Sequence, residues 1–157
     1  MDNYDIARNP NPSPETLVRL TNDGSYWVRY RVARNPNTPP EILERLANDN
    51  SWGVRRNVAF NPNTSIETLE RLVNDVHLSV RCYVAINSST PPEILELLAN
   101  DEDYRVRLNV AWNSNTSAET LERLANDEDC YVRLNVEINP KTPQYIRTYL
   151  KILKLFK

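Results

Sequence analysis

Glycine is almost absent from this chain, which contains only two glycines in 157 residues. A glycine-rich loop that could cradle a phosphate group is therefore excluded. The shortage also predicts that asparagine makes the turns, because asparagine either adopts a left-handed backbone conformation or bonds to the local backbone.

Cysteine and histidine are as scarce as glycine. Cys82 and Cys130 are separated by 47 residues, which is neither a metal-site spacing nor a disulfide framework, and we predict that both are packing residues. The single histidine, His77, has no repeated partner, and the sequence shows no set of nucleophile, base and orienting group. The sequence therefore predicts a protein that is not an enzyme, with no cofactor and no metal.

Long apolar runs are also missing. No stretch approaches the roughly 20 apolar residues of a membrane span, and the first residues lack the charged start and apolar run of a leader. The scarcity of cysteine agrees with a reducing compartment. We therefore expect a cytoplasmic protein without a membrane partner.

One pattern of 26 residues accounts for nearly all of the chain, and the stretch from Thr38 to Asn61 is its clearest copy. Two columns of identical residues recur at this spacing: Asn9, Asn35, Asn61, Asn87, Asn113 and Asn139, and Leu20, Leu46, Leu72, Leu98, Leu124 and Leu150. A fixed period of this length indicates an all-α solenoid built from stacked repeats.

Each repeat predicts a first helix, helix A, of about ten residues. Thr38 is the predicted N-cap, Pro39 the first helical residue and Glu41 the capping-box partner. Leu43 and Leu46 follow at helical spacing and form part of an apolar stripe.

A second helix, helix B, follows in each repeat. Asn48 and Asp49 end helix A and offer side chains that can cap helix B, whose core positions are Val54 and Val58. Helix B is predicted to end at Asn61, because the proline that follows biases it away from helical angles.

These signals recur five times. We predict helix A near residues 13–22, 39–48, 65–74, 91–100 and 117–126, and helix B near residues 25–34, 51–60, 77–86, 103–112 and 129–138.

The two ends depart from the repeat. Residues 1–8 align with the end of a helix B and predict a half-repeat cap, residues 9–138 hold the five repeats, and residues 139–157 predict one longer capping helix. Four apolar residues of this last helix can face the preceding repeat: Ile146, Tyr149, Leu150 and Leu153. We therefore expect a single solenoid domain over residues 1–157.

Charge is divided unevenly along the chain. Five of the 19 basic residues lie in 141–157, which has no acid, so residues 1–140 carry 14 basic and 21 acidic residues, a net charge of −7. This acidic body argues against generic binding to a phosphate backbone. The basic end can be a solvated cap, or the chain can stack on itself through Tyr4 at one end and Leu153 and Phe156 at the other.

The motif TPPEILERLAND followed by VRxxVAxNP resembles the leucine-rich repeat variant family along almost the whole chain. The resemblance implies a right-handed superhelix in which each α-helix is followed by a shorter helix, often a 3₁₀ helix. The spacing from Asp49 to Val54 and Arg55 is also similar to part of HEAT repeats. The iron–sulfur cluster associated with the family depends on a cysteine-rich N-terminal segment, which this chain lacks before Cys82.

An arginine column is the most specific polar feature of the repeat. Its arginines, and the aspartates at the corners between helices A and B, are Arg29, Arg55, Arg81, Arg107 and Arg133, and Asp23, Asp49, Asp75, Asp101 and Asp127. The interpretation we favour pairs each arginine with the aspartate six residues earlier or with that of the neighbouring repeat, giving a charge ladder that fixes the register. The alternative is a rail for phosphates or acidic side chains.

Positions of helix B that vary between repeats are the candidates for a partner-binding site, since packing does not dictate them. The candidates are Trp27, Tyr30, Arg31, Arg34, Arg56, Asn57, Tyr83, Arg105, Asn109, Tyr131 and Asn135. Aromatic and arginine side chains anchor protein interfaces and also suit single-stranded nucleic acid. The last residue of helix B is Phe60, Ile86, Trp112 or Ile138 in four of the repeats, and we expect these side chains to pack between repeats. The column of Asn57 is therefore the better surface candidate.

The sequence therefore predicts a non-catalytic scaffold that binds a protein along helix B. The alternative is a nucleic-acid-binding protein that uses the arginine column and the aromatic residues.

Overall fold

A computed structural model describes residues 2–155 of the protein, and this part of the chain is helical and has no β-strand. Five helix A segments alternate with five helix B segments between a short first helix, α1 (Asn3–Ala7), and a long last helix, α12 (Gln144–Leu155). The helices A are α2 (Pro14–Thr21), α4 (Pro40–Leu46), α6 (Ile66–Leu72), α8 (Pro92–Leu98) and α10 (Ala118–Leu124). The helices B are α3 (Tyr26–Arg34), α5 (Trp52–Phe60), α7 (Leu78–Ile86), α9 (Tyr104–Trp112) and α11 (Cys130–Ile138).

The helices form two layers with one continuous core between them. Leucines from helices A, such as Leu43 and Leu69, meet valines from helices B, such as Val54 and Val58, and all four side chains are fully buried. Each helix B packs closely on the helix B before and after it, whereas helices A of neighbouring repeats touch far less. The predicted all-α solenoid is therefore confirmed, and the helices B form the more closely packed of its two layers.

Helix A begins one residue later than predicted and is shorter. The N-cap position is occupied by Pro39, not by Thr38, and the helices A have seven or eight residues instead of about ten. Thr38 is buried, and its hydroxyl donates to the carbonyl oxygen of Val32 at 2.6 Å, so it holds the end of the preceding helix B. Where the chain has serine at the cap, as at Ser65, the side-chain oxygen accepts from the amide of Thr68.

Asparagine turns the chain by the second of the two predicted routes, a bond to the local backbone, and not by a left-handed conformation. No described residue other than glycine has a positive φ, and Asn61 has an extended backbone with φ −68° and ψ 130°. Its buried side-chain amide instead donates to the carbonyl oxygens of Ala33 and Asn35 in the previous repeat, both at 2.8 Å, while its oxygen accepts from the amide of Asn63. We call this column of inter-repeat hydrogen bonds the asparagine ladder: Asn35, Asn61, Asn87, Asn113 and Asn139.

Helix B is a nine-residue α-helix in all five repeats and is the longer helix of each pair. The shorter, partly 3₁₀ second helix implied by the family resemblance is therefore wrong for this chain. Helix B is long enough to bury two valines one turn apart while presenting two further turns of side chains on its outer side.

Both ends cover the core. In α1, Asp2 stands where a valine would be expected, and its carboxylate caps the helix by accepting from the amide of Asp5 at 2.8 Å. In α12, Ile146 and Leu150 are buried against the last repeat as predicted, and the hydroxyl of Tyr149 donates to Asn126. Phe156, which was expected at the end of this helix, and Lys157 lie outside the described residues.

Candidate functional site

The arginine column of helix B is locked between neighbouring repeats. Arg55 donates through Nε and Nη2 to the two carboxylate oxygens of Asp75 in the next repeat, at 2.6 and 2.9 Å. Its Nη1 donates to the backbone carbonyl of Asp49, six residues earlier, at 2.8 Å. The same forked pairing joins the other repeats: Arg29 to Asp49, Arg81 to Asp101, and Arg107 to Asp127.

This geometry is the pairing that the ladder interpretation predicts. Four arginines, Arg29, Arg55, Arg81 and Arg107, each pair with the carboxylate of the neighbouring repeat, while the aspartate six residues earlier contributes its carbonyl oxygen and not its carboxylate. The hydrogen bonds to Asp75 raise the pKa of Arg55. Burial alone would raise the pKa of Asp75, but hydrogen bonds from Arg55 and the amide of His77 bring it below its ordinary value. The side chains of Arg55 and Asp75 are only 14% and 7% exposed. Four of the five guanidinium groups are therefore engaged with carboxylates of the next repeat, and the role of the column in fixing the register stays a prediction.

At each end of the ladder, one member of the arginine–aspartate pair is missing. Asp23 accepts from the side chain of Asn3 at 2.6 Å, so an amide takes the place of the missing arginine. Arg133 donates to the carbonyl oxygens of Asp127 and Glu128, and Leu153 occupies the position where a further repeat would carry aspartate.

The outer side of helix B carries the variable residues and is called the helix B face here. It consists of the first, second, fifth, sixth and ninth residues of each helix B, which in α5 are Trp52, Gly53, Arg56, Asn57 and Phe60. Phe60 is 51% exposed and Trp112, at the same position in α9, is 61% exposed. The expectation that the ninth position is packed away between repeats is therefore wrong, although the ring of Phe60 touches that of Tyr83 in the next helix B.

The sixth position is the more buried one, contrary to prediction. Asn57 is only 5% exposed, and its amide donates back to the carbonyl of Gly53 at 2.7 Å. Asn135 makes the equivalent bond to Tyr131. This position lies in the groove between adjacent helices B, so most of its polar atoms are engaged within the protein.

Aromatic rings and arginine side chains form a connected cluster across α3, α5 and α7. The ring of Trp52 stacks on that of His77 with centroids 4.1 Å apart and an angle of 2° between the planes. The guanidinium of Arg56 lies over the rings of Trp52 and Tyr83, 5.7 and 5.3 Å from their centroids. Phe60 meets Tyr83 edge to face. Contacts of this kind hold the rings in place while leaving part of each exposed.

The first repeat extends this cluster. Trp27 contacts Tyr26 and Tyr30, with ring centroids 4.5 and 5.9 Å away. Arg31 lies over the ring of Tyr4 and donates to its hydroxyl at 2.9 Å, so Tyr4 is engaged within the chain. Burial would raise the pKa of Tyr30, but hydrogen bonding and the nearby positive charges, including that of Arg56, lower it overall. The field in this part of the face is therefore positive.

The later repeats present a different surface. Ile86, Trp112 and Ile138 are exposed in line along the ninth position, and Leu134 is exposed beside them. Arg105 is paired with Asp103 at 2.7 Å, and that hydrogen-bonded guanidinium lowers the pKa of Asp103 to about 2. The row of ninth-position side chains in the second half of the helix B face is thus apolar.

The candidates predicted from the sequence are spread over three environments. Exposed are Trp27, Arg34, Arg105 and Tyr131; half-buried are Tyr30, Arg31, Arg56, Tyr83, Asn109 and Asn135; Asn57 is buried. Sequence reasoning missed the first position of helix B, where Tyr26, Trp52 and Tyr104 are all exposed. The signal was present, since this position varies between repeats and lies one helical turn before the fifth position, which was selected.

Charge segregation between the two layers was also missed. Helices A carry nine glutamates and four arginines, whereas helices B carry nine arginines and one glutamate. The net charge of the chain hides this difference. The overall acidity belongs largely to the helix A layer and to the corners, while the helix B layer is basic.

The two cysteines have different surroundings. Cys82 packs against the core, and burial raises the pKa of its thiol. Cys130 is exposed at the start of α11, so the prediction that it is a packing residue is wrong. Within residues 2–155, no group of three histidine, cysteine or acidic side chains is placed to hold a metal ion.

None of the helices in the described part of the chain combines the length and apolar character that a membrane crossing requires.

Comparison with known proteins agrees with this architecture. The model of the family described as leucine rich repeat variant matches residues 26–51, 52–77 and 104–129. Each match starts at the first residue of a helix B and ends immediately before the next helix B. A solved structure described as a leucine-rich repeat variant with a novel repetitive protein structural motif is 24% identical, with a TM-score of 0.56 over 95% of this chain and 79% of that chain. That likeness concerns the fold. No curated protein sequence matches the chain significantly. The repeat matches and the shared architecture show that the chain belongs to the leucine-rich repeat variant family.

Proposed function

We propose that the protein is a non-catalytic scaffold that binds another protein along the helix B face. The observation that carries the proposal is the row of exposed aromatic and apolar side chains on the layer of helices B, whose closer packing indicates the concave side of a solenoid. It contains Trp27, Trp52, Phe60, Ile86, Trp112, Tyr131 and Ile138. Contiguous exposed apolar surface of this kind is typical of interaction sites, and repeat solenoids generally use their concave side for binding.

Capture of partners from a lysate of the source cell, with and without nuclease, tests this proposal. The test variant replaces Trp27, Trp112 and Tyr131 together by alanine. Leu97→Ala is the control, because Leu97 is 62% exposed, nearly the same as Trp112, but lies on helix A. We expect a nuclease-resistant protein partner that is lost with the triple variant and kept with the control. Equal capture by both variants would contradict the use of this face.

Single-stranded nucleic acid is the second candidate. It is favoured by the exposed rings of the first two repeats, which lie beside Arg31, Arg34 and Arg56. Most of the arginine column is not available to this candidate, since four of its five guanidinium groups are paired with aspartates. Binding to a single-stranded oligonucleotide that weakens steeply with salt would support this candidate. Absence of binding at low salt would eliminate it.

Location in the cytoplasm and self-association through the ends remain predictions from the sequence. The mass of the protein in solution, measured by light scattering over a range of concentrations, tests the second of these.

A further inference from the structure

Gly53 leaves an opening in the helix B face between Trp27 and Trp52. A methyl group at this position would make only ordinary contacts, 3.6 Å from the hydroxyl oxygen of Ser51 and 3.9 Å from the ring of Tyr30. No positive φ requires a glycine there either. Glycine within a helix is less stable than alanine. Since neither packing nor the backbone calls for glycine, the opening itself is the feature that the residue provides.

The opening is a cavity with aromatic walls. Its volume is about 580 Å³, and its walls include the rings of Tyr26, Trp27, Tyr30 and Trp52. Ligand sites in proteins have volumes of about 300–1,000 Å³ and are lined mainly by apolar and aromatic groups. The cavity therefore suits an apolar or aromatic side chain.

Three arginines of α3 and α5 have no acidic partner. Arg56 lines this cavity, whereas Arg31 and Arg34 line a separate cavity beside Ala7 and Arg8. Among the residues the structure describes, none of the three forms an ion pair, in contrast to the four paired arginines of the column, Arg29, Arg55, Arg81 and Arg107. Arg56 makes one long hydrogen bond, 3.4 Å to the hydroxyl of Tyr30, and its Nε is buried without a partner, as is that of Arg31. A buried donor without an acceptor is unfavourable, and carboxylates are the natural acceptors for a guanidinium group.

The rest of the face favours a peptide over a nucleic acid. Ile86 and Ile138 border a second cavity, of about 400 Å³, on which Trp112 also lies. A nucleic acid strand carries a phosphate at every nucleotide and would need cations along its whole length. Within the described part of α9 and α11, Arg105 is already paired with Asp103, Arg107 is paired with Asp127, and Arg133 donates to backbone carbonyl oxygens.

We propose that the helix B face binds an extended segment of a partner protein that has an acidic part and an apolar part. An apolar or aromatic side chain of the segment occupies the cavity beside Gly53, and flanking carboxylates pair with Arg56, Arg31 and Arg34. The apolar part lies along Ile86, Trp112 and Ile138. The inference rests on the proposed function and adds the chemical class of the partner.

The spacing of the repeats sets the length of the segment. Neighbouring helices pack about 9 Å apart, and an extended chain covers about 3.3 Å per residue, so about three residues of the segment span one repeat. A segment of about 12 residues therefore covers four repeats.

Selection from a library of random 12-residue peptides displayed on phage, with the full chain as the target, tests the inference. A pool of random single-stranded DNA is selected in parallel under the same conditions. We expect enriched peptides that combine aspartate or glutamate with aromatic or aliphatic residues. Their affinity should fall at least tenfold with Gly53→Leu, which fills the cavity, and with Arg34→Glu, which reverses an exposed charge.

Matched variants separate loss of the site from loss of the fold. Ser79→Leu places the same side chain at the second position of the next helix B, away from the cavity, and should leave peptide affinity within about twofold. Gly53→Ala should raise the thermal stability, since it adds a better helix former without a clash. Arg34→Glu changes an exposed residue, so its result stands even if Gly53→Leu fails to fold.

Three results would overturn the inference: no enriched peptide, enriched peptides without an acidic bias, or equal affinity for wild type and Arg34→Glu. Enrichment of single-stranded DNA alone would overturn it in favour of a nucleic acid ligand. If lysate capture depends on the helix B face while the peptides show no acidic bias, the proposed function stands and the assigned partner chemistry fails.

Discussion

Inward and outward columns of helix B differ sharply in how much they vary from repeat to repeat. The two inward positions represented by Val54 and Val58 hold valine in all five repeats, and all ten side chains are buried. The outward position represented by Gly53 holds a different residue in every repeat. An inward residue contacts its own copies on both sides, so a repeated environment selects a repeated residue. Outward residues have no such constraint, and their variety is where a particular partner can be recognised.

Asp75→Ala should have the largest effect, because it removes one ion pair between neighbouring repeats from the charge ladder. The change leaves the half-buried guanidinium of Arg55 without its carboxylate and removes the acceptor for the amide of His77. Loss of one partner from a buried pair costs about 3 kcal/mol, and the lost hydrogen bond about 1 more. We expect the free energy of unfolding, measured in urea, to fall by about 4 kcal/mol.

Asp23→Ala is the control for that variant. Asp23 lies at the end of the ladder, where its carboxylate accepts from Asn3 and from the amide of Ser25, while Arg29 bonds only to its backbone carbonyl, which the substitution keeps. A loss as large as that of Asp75→Ala would show that the ion pairs between repeats do not carry the difference.

Asn87→Ala should come next, because it removes a rung of the asparagine ladder. Its side chain donates to the carbonyls of Ala59 and Asn61 and accepts from the amide of Ser89, all in buried surroundings. Three lost hydrogen bonds at roughly 1 kcal/mol each give an expected destabilisation of about 3 kcal/mol. Asn9→Ala removes the same residue type at the start of the column, where the side chain accepts only from Asn11, and should cost about 1 kcal/mol or less. Equal losses would refute an inter-repeat role for the ladder.

Acid should lower the free energy of unfolding by protonating the aspartates of the charge ladder. The pKa values of Asp49 and Asp75 lie below the ordinary 3.8 in the folded protein, as hydrogen bonds from arginine outweigh burial. A carboxylate with a lowered pKa stabilises the fold above its ordinary pKa, and this stabilisation is lost as the pH falls through the lowered value. The free energy of unfolding should therefore be constant from pH 7 to about pH 5 and decline below about pH 4. The decline should be shallower in Asp75→Asn, and a slope identical to that of wild type would count against this origin.

Trp112→Ala should have the smallest effect on stability although it removes the largest side chain. Trp112 is 61% exposed on the outward side, and exposed substitutions usually change the free energy of unfolding by no more than about 0.5 kcal/mol. Val110→Ala, on the inward side of the same helix, removes part of a fully buried side chain and should cost about 2 kcal/mol. Thermal unfolding of the pair measures the contrast directly. A loss for Trp112→Ala close to that of Val110→Ala would show that the outward column also carries stability.

Sequence reasoning was most successful for residues that can play only one structural role. Valine at a turn's spacing and leucine opposite it have no use but burial, so the helices and the core could be predicted. It failed for residues with two uses. Thr38 could cap the helix that follows or close the helix that precedes it. The side chain of Asn61 bonds to the local backbone as predicted, but it also bonds to the previous repeat, which was not predicted. In both cases the bonding depends on a neighbour that the local sequence does not show.

The candidate site shows the same limit. Variation between repeats correctly pointed to the outer side of helix B, but exposure at each position depends on how closely adjacent helices B approach. That spacing buries Asn57 and leaves Phe60 and Trp112 exposed, the reverse of the expected order. The binding role of these residues is still a prediction.

The sequence by itself determined the period, the two helices per repeat and the membership of each residue in an inward or outward column, because these follow from helical spacing within 26 residues. Only the tertiary structure decided which carboxylate each arginine of the ladder binds, which polar groups are buried, and where the cavity beside Gly53 opens. These features arise between repeats, at contacts of residues 20 to 28 positions apart, and their geometry is set by how the helices stack.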